Sequence, residues 1–157
     1  MADQQELDKA YLDIAVRWSL MSKAIRRKVG CIIVKDQQII SDGFNGTPAG
    51  FDNICEEPAI SKINESVYDI DPLDLKTKAE VLHAESNALM KLARSTNSSV
   101  GATMYLTCAP CFECAKLIIQ SGISRLVYLD SYRSYTGLLL LEKAGIVVEQ
   151  STSSSAG

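Results

Sequence analysis

The spacing of apolar residues near the start of the chain predicts one helix followed by two strands. An apolar stripe at helical spacing is formed by Leu7, Tyr11, Leu12, Ile14, Ala15, Trp18 and Leu20. It predicts an amphipathic helix over residues 5–23. The continuous apolar run 29–34 predicts a buried strand. A turn over 36–38 and a further run over 39–44 predict a second strand, antiparallel to the first.

The second half of the chain alternates between helical and strand-like spacing. It predicts helices over residues 84–93, 111–121 and 137–144, and strands over residues 103–107, 126–129 and 146–148. Gly122 and Gly145 fit the ends of the last two helices, because glycine readily adopts the left-handed conformation that closes a helix.

Apolar residues in the middle of the chain do not recur at a regular spacing. Residues 43–50 are rich in Gly, Pro and Asn, which predicts a loop. Residues 51–78 have weak periodicity and contain two prolines, which predicts a long loop; such loops are usually functional. The full order of elements predicts an α/β protein, a three-layer α/β/α sandwich with a central five-stranded mixed sheet.

Composition narrows the class of protein. The 157 residues are 46% hydrophobic and 22% charged, as in an ordinary globular domain, and we expect one domain over residues 1–149 and a disordered tail over 150–157. The net charge of −3 weighs against a protein that coats nucleic acid. No apolar run is long enough for a membrane span, and the acidic, polar start is unlike a signal peptide. We therefore expect a cytoplasmic protein without a membrane partner.

Four residues carry the most specific chemistry. His83, the single histidine, lies two positions before Glu85, and Pro110 precedes a Cys111-x-x-Cys114 pair. Two cysteines three apart at a helix start can face one point, and three N and S ligands can hold zinc with its fourth position open. An odd number of cysteines also favours metal or redox chemistry over a disulfide framework. We predict one zinc ion held by His83, Cys111 and Cys114, with Glu85 moving protons.

The alternatives to a catalytic zinc are a structural zinc clip and a redox Cys-x-x-Cys pair. A structural site needs a fourth protein ligand, and the chain has no second histidine. Cys31 and Cys55 could supply thiols to a second, structural zinc, but Cys31 in an apolar strand fits a core residue better. We therefore expect one zinc per chain.

The His-x-Glu and Pro-Cys-x-x-Cys motifs together resemble those of the cytidine deaminase superfamily. Common free cytidine deaminases use a cysteine at the position of His83. The segment Gly43-Phe44-Asn45-Gly46-Thr47-Pro48, with residues 26–30 and 109–116, resembles the deoxycytidylate deaminases instead. This resemblance extends from about residue 11 to 148, although Phe44 replaces the family's usual tyrosine.

The resemblance implies an activity and its control. It implies hydrolysis of dCMP to dUMP and ammonia, with Glu85 passing protons from water to the ring nitrogen and to the leaving amine. It also implies a homo-oligomer, often a hexamer, activated by dCTP and inhibited by dTTP, with Mg²⁺ accompanying the triphosphate effector.

Further residues are candidates for binding the nucleotides. The substrate candidates are Ser22, Arg26, Asn45, Ala84, Ala109 and Tyr132, and the effector candidates are Asp42, Gly43, Asn45, Gly46 and Thr47. An Arg fork matches a phosphate, and an Asn amide can pair with a sugar hydroxyl. Each also has an ordinary interpretation: Arg26 as part of a solvated basic run, Asn45 as a turn residue before glycine, and Tyr132 as a half-buried aromatic.

Two other functions remain open. A deaminase of polynucleotides or transfer RNA needs a basic trench with stacking aromatics, and the 6% aromatic content and net acidity argue against one. A non-enzymatic zinc-binding module would keep the ligands and leave Glu85 without a chemical role. It would release no ammonia from any base.

Overall fold

The computed structural model describes residues 2–59 and 75–152; the predictions that fall on residues 60–74 and 153–157 lie outside them. The helices are α1 (Gln4–Ser19), α2 (Ala84–Ala93), α3 (Phe112–Gln120) and α4 (Thr136–Lys143). The strands are β1 (Gly30–Lys35), β2 (Gln38–Phe44), β3 (Glu56–Pro58), β4 (Leu75–Thr77), β5 (Thr103–Cys108), β6 (Arg125–Asp130) and β7 (Val147–Gln150). The predicted order is confirmed, with one added pair of short strands, β3 and β4.

The central sheet has five strands in the order β2-β1-β5-β6-β7. β1 pairs antiparallel with β2 and β5, whereas the β5–β6 and β6–β7 pairs are parallel. The predicted mixed sheet is therefore confirmed. Asp36 and Gln37 connect β1 to β2 with φ values of 51° and 59°. Two left-handed residues in a tight turn match the twist of a hairpin, which explains the antiparallel pair.

The sheet separates two apolar layers, because alternate residues of a strand point to opposite faces. One face packs against Leu12 and Ala15 of α1 through Ile32, Val34, Tyr105 and Val127. The other packs against α2, α3 and α4 through Cys31, Ile33, Met104, Leu106, Leu126 and Tyr128. The three-layer arrangement is thus as predicted. Within the two described ranges, no helix has the length and apolarity needed to cross a membrane.

The first helix is shorter than predicted. α1 ends at Ser19 instead of residue 23, and the amides of Leu20, Met21 and Ser22 bond three residues back in successive tight turns. Leu20 is 59% exposed and Met21 47%, so neither finds an apolar partner on the sheet. The predicted extension counted Leu20 in the stripe, and this was wrong.

The region predicted as a long loop contains the two short antiparallel strands β3 and β4, in which Glu56 pairs with Thr77 and Pro58 with Leu75. The amide of Lys78 extends this pairing by donating to the carbonyl of Cys55 at 2.8 Å. Strands of three residues are too short to show an alternation of apolar and polar positions, so they could not be predicted from the sequence. At the other end of the chain, β7 continues to Gln150, one residue into the predicted tail.

Two glycines let helices approach the sheet closely. A Cβ on Gly30 would lie 1.9 Å from the carbonyl oxygen of Ala15 in α1. A Cβ on Gly43 would lie 2.4 Å from the carbonyl oxygen of Ala84 in α2. Both clashes are with backbone, which cannot move aside as a side chain would. The position of α2, which begins at the candidate site, therefore depends on Gly43.

We expect Gly30→Ala to lower the free energy of unfolding by about 3 kcal/mol, since the added methyl forces α1 off β1. The midpoint of urea unfolding measures this change. Gly46→Ala is the matched control, because a Cβ there meets no atom within 4 Å. Equal effects of the two substitutions would contradict the close packing of α1 on β1.

Candidate active site

Two helix starts bring the candidate metal ligands together. His83 is the N-cap of α2 and Cys111 is the N-cap of α3. The Cys111 Sγ accepts a hydrogen bond from the Cys114 amide at 3.4 Å, so the first turn of α3 directs both thiols to one side. α4 supports this turn, because a Cβ on Gly137 would lie 2.4 Å from the Pro110 carbonyl oxygen.

The geometry of the three side chains fits a zinc ion. The His83 Nδ1 lies 3.2 Å from the Cys114 Sγ and 3.6 Å from the Cys111 Sγ, and all three ligand atoms lie within 4.8 Å of one another. A tetrahedral zinc with ordinary bond lengths separates its N and S ligands by about 3.5–3.6 Å, so the distance to Cys111 matches and the distance to Cys114 is a few tenths of an ångström shorter. Three protein ligands leave a fourth position open, as in catalytic sites. Within the part of the chain that the structure describes, this is the only such group of His, Cys, Asp or Glu.

Cys111 is already in the form that binds a metal, whereas Cys114 and His83 would have to release a proton to bind one. A hydrogen bond with Cys114 lowers the pKa of Cys111 to about 4, so this sulfur is a thiolate at neutral pH. The same bond, followed by burial, raises the pKa of Cys114. A hydrogen bond with Cys111 raises the pKa of His83. The thiolate is the form of cysteine that binds metals.

Glu85 lies in the first turn of α2 and is only 4% exposed. Burial raises its pKa, because the charged carboxylate loses solvation. A raised pKa makes the carboxyl group a better proton acceptor, which suits a residue that takes up a proton and later gives it up. Glu85 is thus the acid–base candidate next to the cluster.

Glu85, His83 and Cys111 line a pocket of about 330 Å³. Its other lining residues include Ala24, Arg26, Arg27, Val29, Asn45, Glu56, Thr77, Val81, Ala84, Cys108, Ala109, Tyr132 and Arg133. Five of the six predicted substrate residues are therefore in one place, namely Arg26, Asn45, Ala84, Ala109 and Tyr132. The pocket combines small apolar residues near the cluster with several cations.

Ser22 is the predicted substrate residue that does not line this pocket. It is 1% exposed, and its hydroxyl donates to the Asn45 carbonyl at 2.8 Å and accepts from the Ala24 amide at 3.2 Å. Its hydroxyl is already used in these two internal hydrogen bonds, and a contact of Ser22 with the phosphate stays a prediction. The hydroxyl connects the segment that follows α1 to the loop that contains Asn45.

Asn45 has a role that the sequence did not indicate. Its Oδ1 accepts from the Val29 amide and its Nδ2 donates to the Arg27 carbonyl, each at 2.8 Å. The side chain therefore braces the basic segment that precedes β1. It lines the pocket at the same time, so a contact with the sugar stays a prediction.

The effector candidates other than Asn45 do not line the pocket. Asp42 accepts from the Trp18 indole at 2.9 Å and from Lys91, and Gly43 is a packing position against α2. Gly46 exchanges two backbone hydrogen bonds with Leu82, and Thr47 donates to the Asp52 carbonyl. Asp42 and Gly43 thus make internal contacts, and the binding of an effector by these four residues stays a prediction.

Three charged residues that line the pocket were not among the site residues predicted from the sequence. Arg27 belongs to the basic run that contains Arg26, and that run was a usable signal. Arg133 follows Tyr132, and its guanidinium carbon lies 5.6 Å from the centre of the Tyr132 ring, a cation–π arrangement. Glu56 gave no signal, since it sits on a strand that was not predicted.

A three-layer α/β/α fold with a His–Cys–Cys cluster beside a buried glutamate is the arrangement of zinc-dependent deaminases. Comparison with known proteins agrees. Residues 5–130 match the family described as the cytidine and deoxycytidylate deaminase zinc-binding region. The chain belongs to this family.

Individual relatives are also informative. Deoxycytidylate deaminase of Enterobacteria phage T4 is 36% identical over 152 residues, covering 77% of this chain and 76% of that protein. The Saccharomyces cerevisiae enzyme is 35% identical over 91% of this chain, but the chain spans only 44% of its length. The crystal structure of dCMP deaminase from the cyanophage S-TIM5 with dCMP and dUMP superimposes with a TM-score of 0.82 and 36% identity, over 96% of this chain and 100% of that one.

Proposed function

We propose that the protein catalyses the zinc-dependent hydrolysis of dCMP to dUMP and ammonia. The observation that carries this proposal is the buried Glu85 beside the His83, Cys111 and Cys114 cluster, in a pocket that also contains arginines. The similarity to deoxycytidylate deaminases over most of the chain supports the same substrate.

The chain's own residues supply the proton transfers. Zinc, when bound by His83, Cys111 and Cys114, acts as a Lewis acid that lowers the pKa of water. The Glu85 carboxylate would take a proton from a water molecule and give it to N3 of the cytosine ring, which makes C4 electrophilic, and the hydroxide that remains would add to C4. Glu85 would then move the proton of the new hydroxyl group to the amine, so that the C4–N bond breaks, ammonia leaves and a carbonyl remains at C4. Ala84 and Ala109 keep the space next to Glu85 open for the ring.

Three cationic side chains of the pocket favour a nucleotide over a nucleoside as the substrate. Arg26, Arg27 and Arg133 line the pocket together, although the chain as a whole carries a net charge of −3. A guanidinium fork matches the oxygens of a phosphate and can bind it through two hydrogen bonds. We assign the 5′-phosphate of dCMP to these arginines.

The first experiment compares dCMP with deoxycytidine on the zinc-loaded protein, following the loss of cytosine absorbance and the release of ammonia. We expect kcat/KM for dCMP to exceed that for deoxycytidine by at least about 10²-fold, since charge-assisted hydrogen bonds contribute about 1.5–3 kcal/mol each. Arg133→Ala should lower the ratio of kcat/KM for dCMP to kcat/KM for deoxycytidine. Turnover of cytosine in single-stranded DNA but not of dCMP would favour a polynucleotide deaminase. Release of no ammonia from dCMP, deoxycytidine or single-stranded DNA would favour a zinc-binding module.

We extend the proposal to control by nucleotides, with dCTP and Mg²⁺ as activator, dTTP as inhibitor and a homohexamer as the active assembly. It is supported by the resemblance of residues 43–48 to the family's loop and by the open space around Gly46. Initial rates with each effector and sedimentation of the protein test it. The single domain over residues 1–149 and the cytoplasmic location stay predictions.

A further inference from the structure

The basic segment between α1 and β1 has no regular structure of its own. Residues 20–29 form neither helix nor strand, yet they carry Arg26 and Arg27 into the pocket. Side chains from elsewhere must therefore fix their path. Asn45 holds the end of the segment near β1, through the backbone of Arg27 and Val29.

Glu56 holds the middle of the same segment. Its Oε1 accepts from the Ile25 amide at 2.8 Å and from the Arg26 amide at 3.1 Å. The residue is only 6% exposed and lines the pocket. It sits in β3, opposite Thr77 of β4, so the pairing of the two strands holds its backbone in place. A buried carboxylate is expensive unless it is hydrogen-bonded, and these two amides meet that requirement.

We propose that Glu56 is a positioning residue that sets the preference for a 5′-phosphate, by fixing the backbone of Ile25 and Arg26 so that the arginines face the pocket. This inference rests on the proposed function. A flexible arginine segment would lose conformational entropy each time a phosphate bound, whereas a segment already held in place avoids that loss. Glu56 takes no part in proton transfer, so its effect is on binding of the nucleotide.

Glu56→Ala and Glu56→Gln, assayed with dCMP and with deoxycytidine, test this role. We expect Glu56→Ala to raise KM for dCMP about ten- to a hundredfold, because hydrogen bonds to a charged acceptor are lost. Its kcat for dCMP, and its kcat/KM for deoxycytidine, should stay close to those of the unmodified protein. Glu56→Gln keeps an oxygen that can accept from both amides, and should restore most of the affinity for dCMP.

Glu56→Asp covers the case in which the alanine variant does not fold. It keeps the charge but withdraws the carboxylate by one methylene, so KM for dCMP should rise here too. Glu57→Ala is the matched control. The Glu57 side chain is 44% exposed, and its Oε1 lies 3.4 Å from the Lys76 Nζ. We expect kcat and KM for dCMP and for deoxycytidine to stay unchanged in this variant.

The outcomes separate the two proposals. Unmodified protein that does not turn over dCMP overturns the proposed function, and this inference with it. Turnover of dCMP that is insensitive to Glu56, or an equal loss with dCMP and deoxycytidine, overturns the positioning role alone.

Discussion

Glu85→Gln should leave zinc bound and lower kcat for dCMP by about 10³- to 10⁴-fold, the range expected when a single group serves as both base and acid. Glutamine has nearly the shape of glutamate but cannot take up the proton. The side chain is 4% exposed at the start of α2, so water has little room to replace it. Turnover of dCMP, with zinc measured on the same sample, gives the result.

The matched control is Glu113→Gln. Glu113 also lies in the first turn of a helix that carries metal ligands, but its side chain is 77% exposed and pairs with Lys116. We expect this variant to keep normal turnover. A Glu85→Gln enzyme that retains more than about one tenth of the activity would show that another group moves the protons.

Cys111→Ala should remove both zinc and activity. Cys111 is the thiolate of the cluster, with a pKa lowered to about 4, and its sulfur lies 3.6 Å from the His83 Nδ1. Without it, two protein ligands remain, and a catalytic zinc needs three. We expect the zinc content to fall from one ion per chain to nearly none, and kcat to fall to background. Metal analysis after dialysis and the dCMP assay measure the two effects.

Cys55→Ala is the corresponding control, since it removes a buried thiol that lies outside the cluster. It should retain one zinc per chain. If Cys55→Ala also released metal, the thiols outside the cluster would have to take part in binding, and the single-zinc site would be wrong. Stability should decrease in both variants, because both create a small cavity or lose a bound ion.

The region from α2 to α3 could be predicted closely from the sequence. α2 has the bounds that its apolar spacing predicts, and Cys111 and His83 lie at helix starts as expected. These features could be predicted because each depends on a few neighbouring residues: the glycine that ends a helix, the apolar spacing of a short helix, and the spacing of the metal ligands. Their meeting at one point still required the fold, because the two ligand segments lie far apart in the chain.

The pocket's outer half could not be predicted in the same way. Ser22 and Asn45 are recognisable as polar loop residues, but their hydrogen bonds join segments that are distant in sequence. Glu56 sits in a three-residue strand, and nothing in its neighbourhood marks it as a partner of Ile25 and Arg26. Such roles arise from contacts between segments that are distant in sequence, and neither residue type nor the spacing of apolar residues reveals them.

The strand order has a consequence for how the protein is made. β1 lies between β2 and β5, and Cys31 pairs with Leu106, so one side of β1 has no partner until β5 has left the ribosome. Pairing over such separations slows folding, and an unpaired apolar strand edge invites aggregation in the meantime. A truncated chain that ends before β5 should therefore precipitate when expressed alone, even though the β1–β2 hairpin is complete within it.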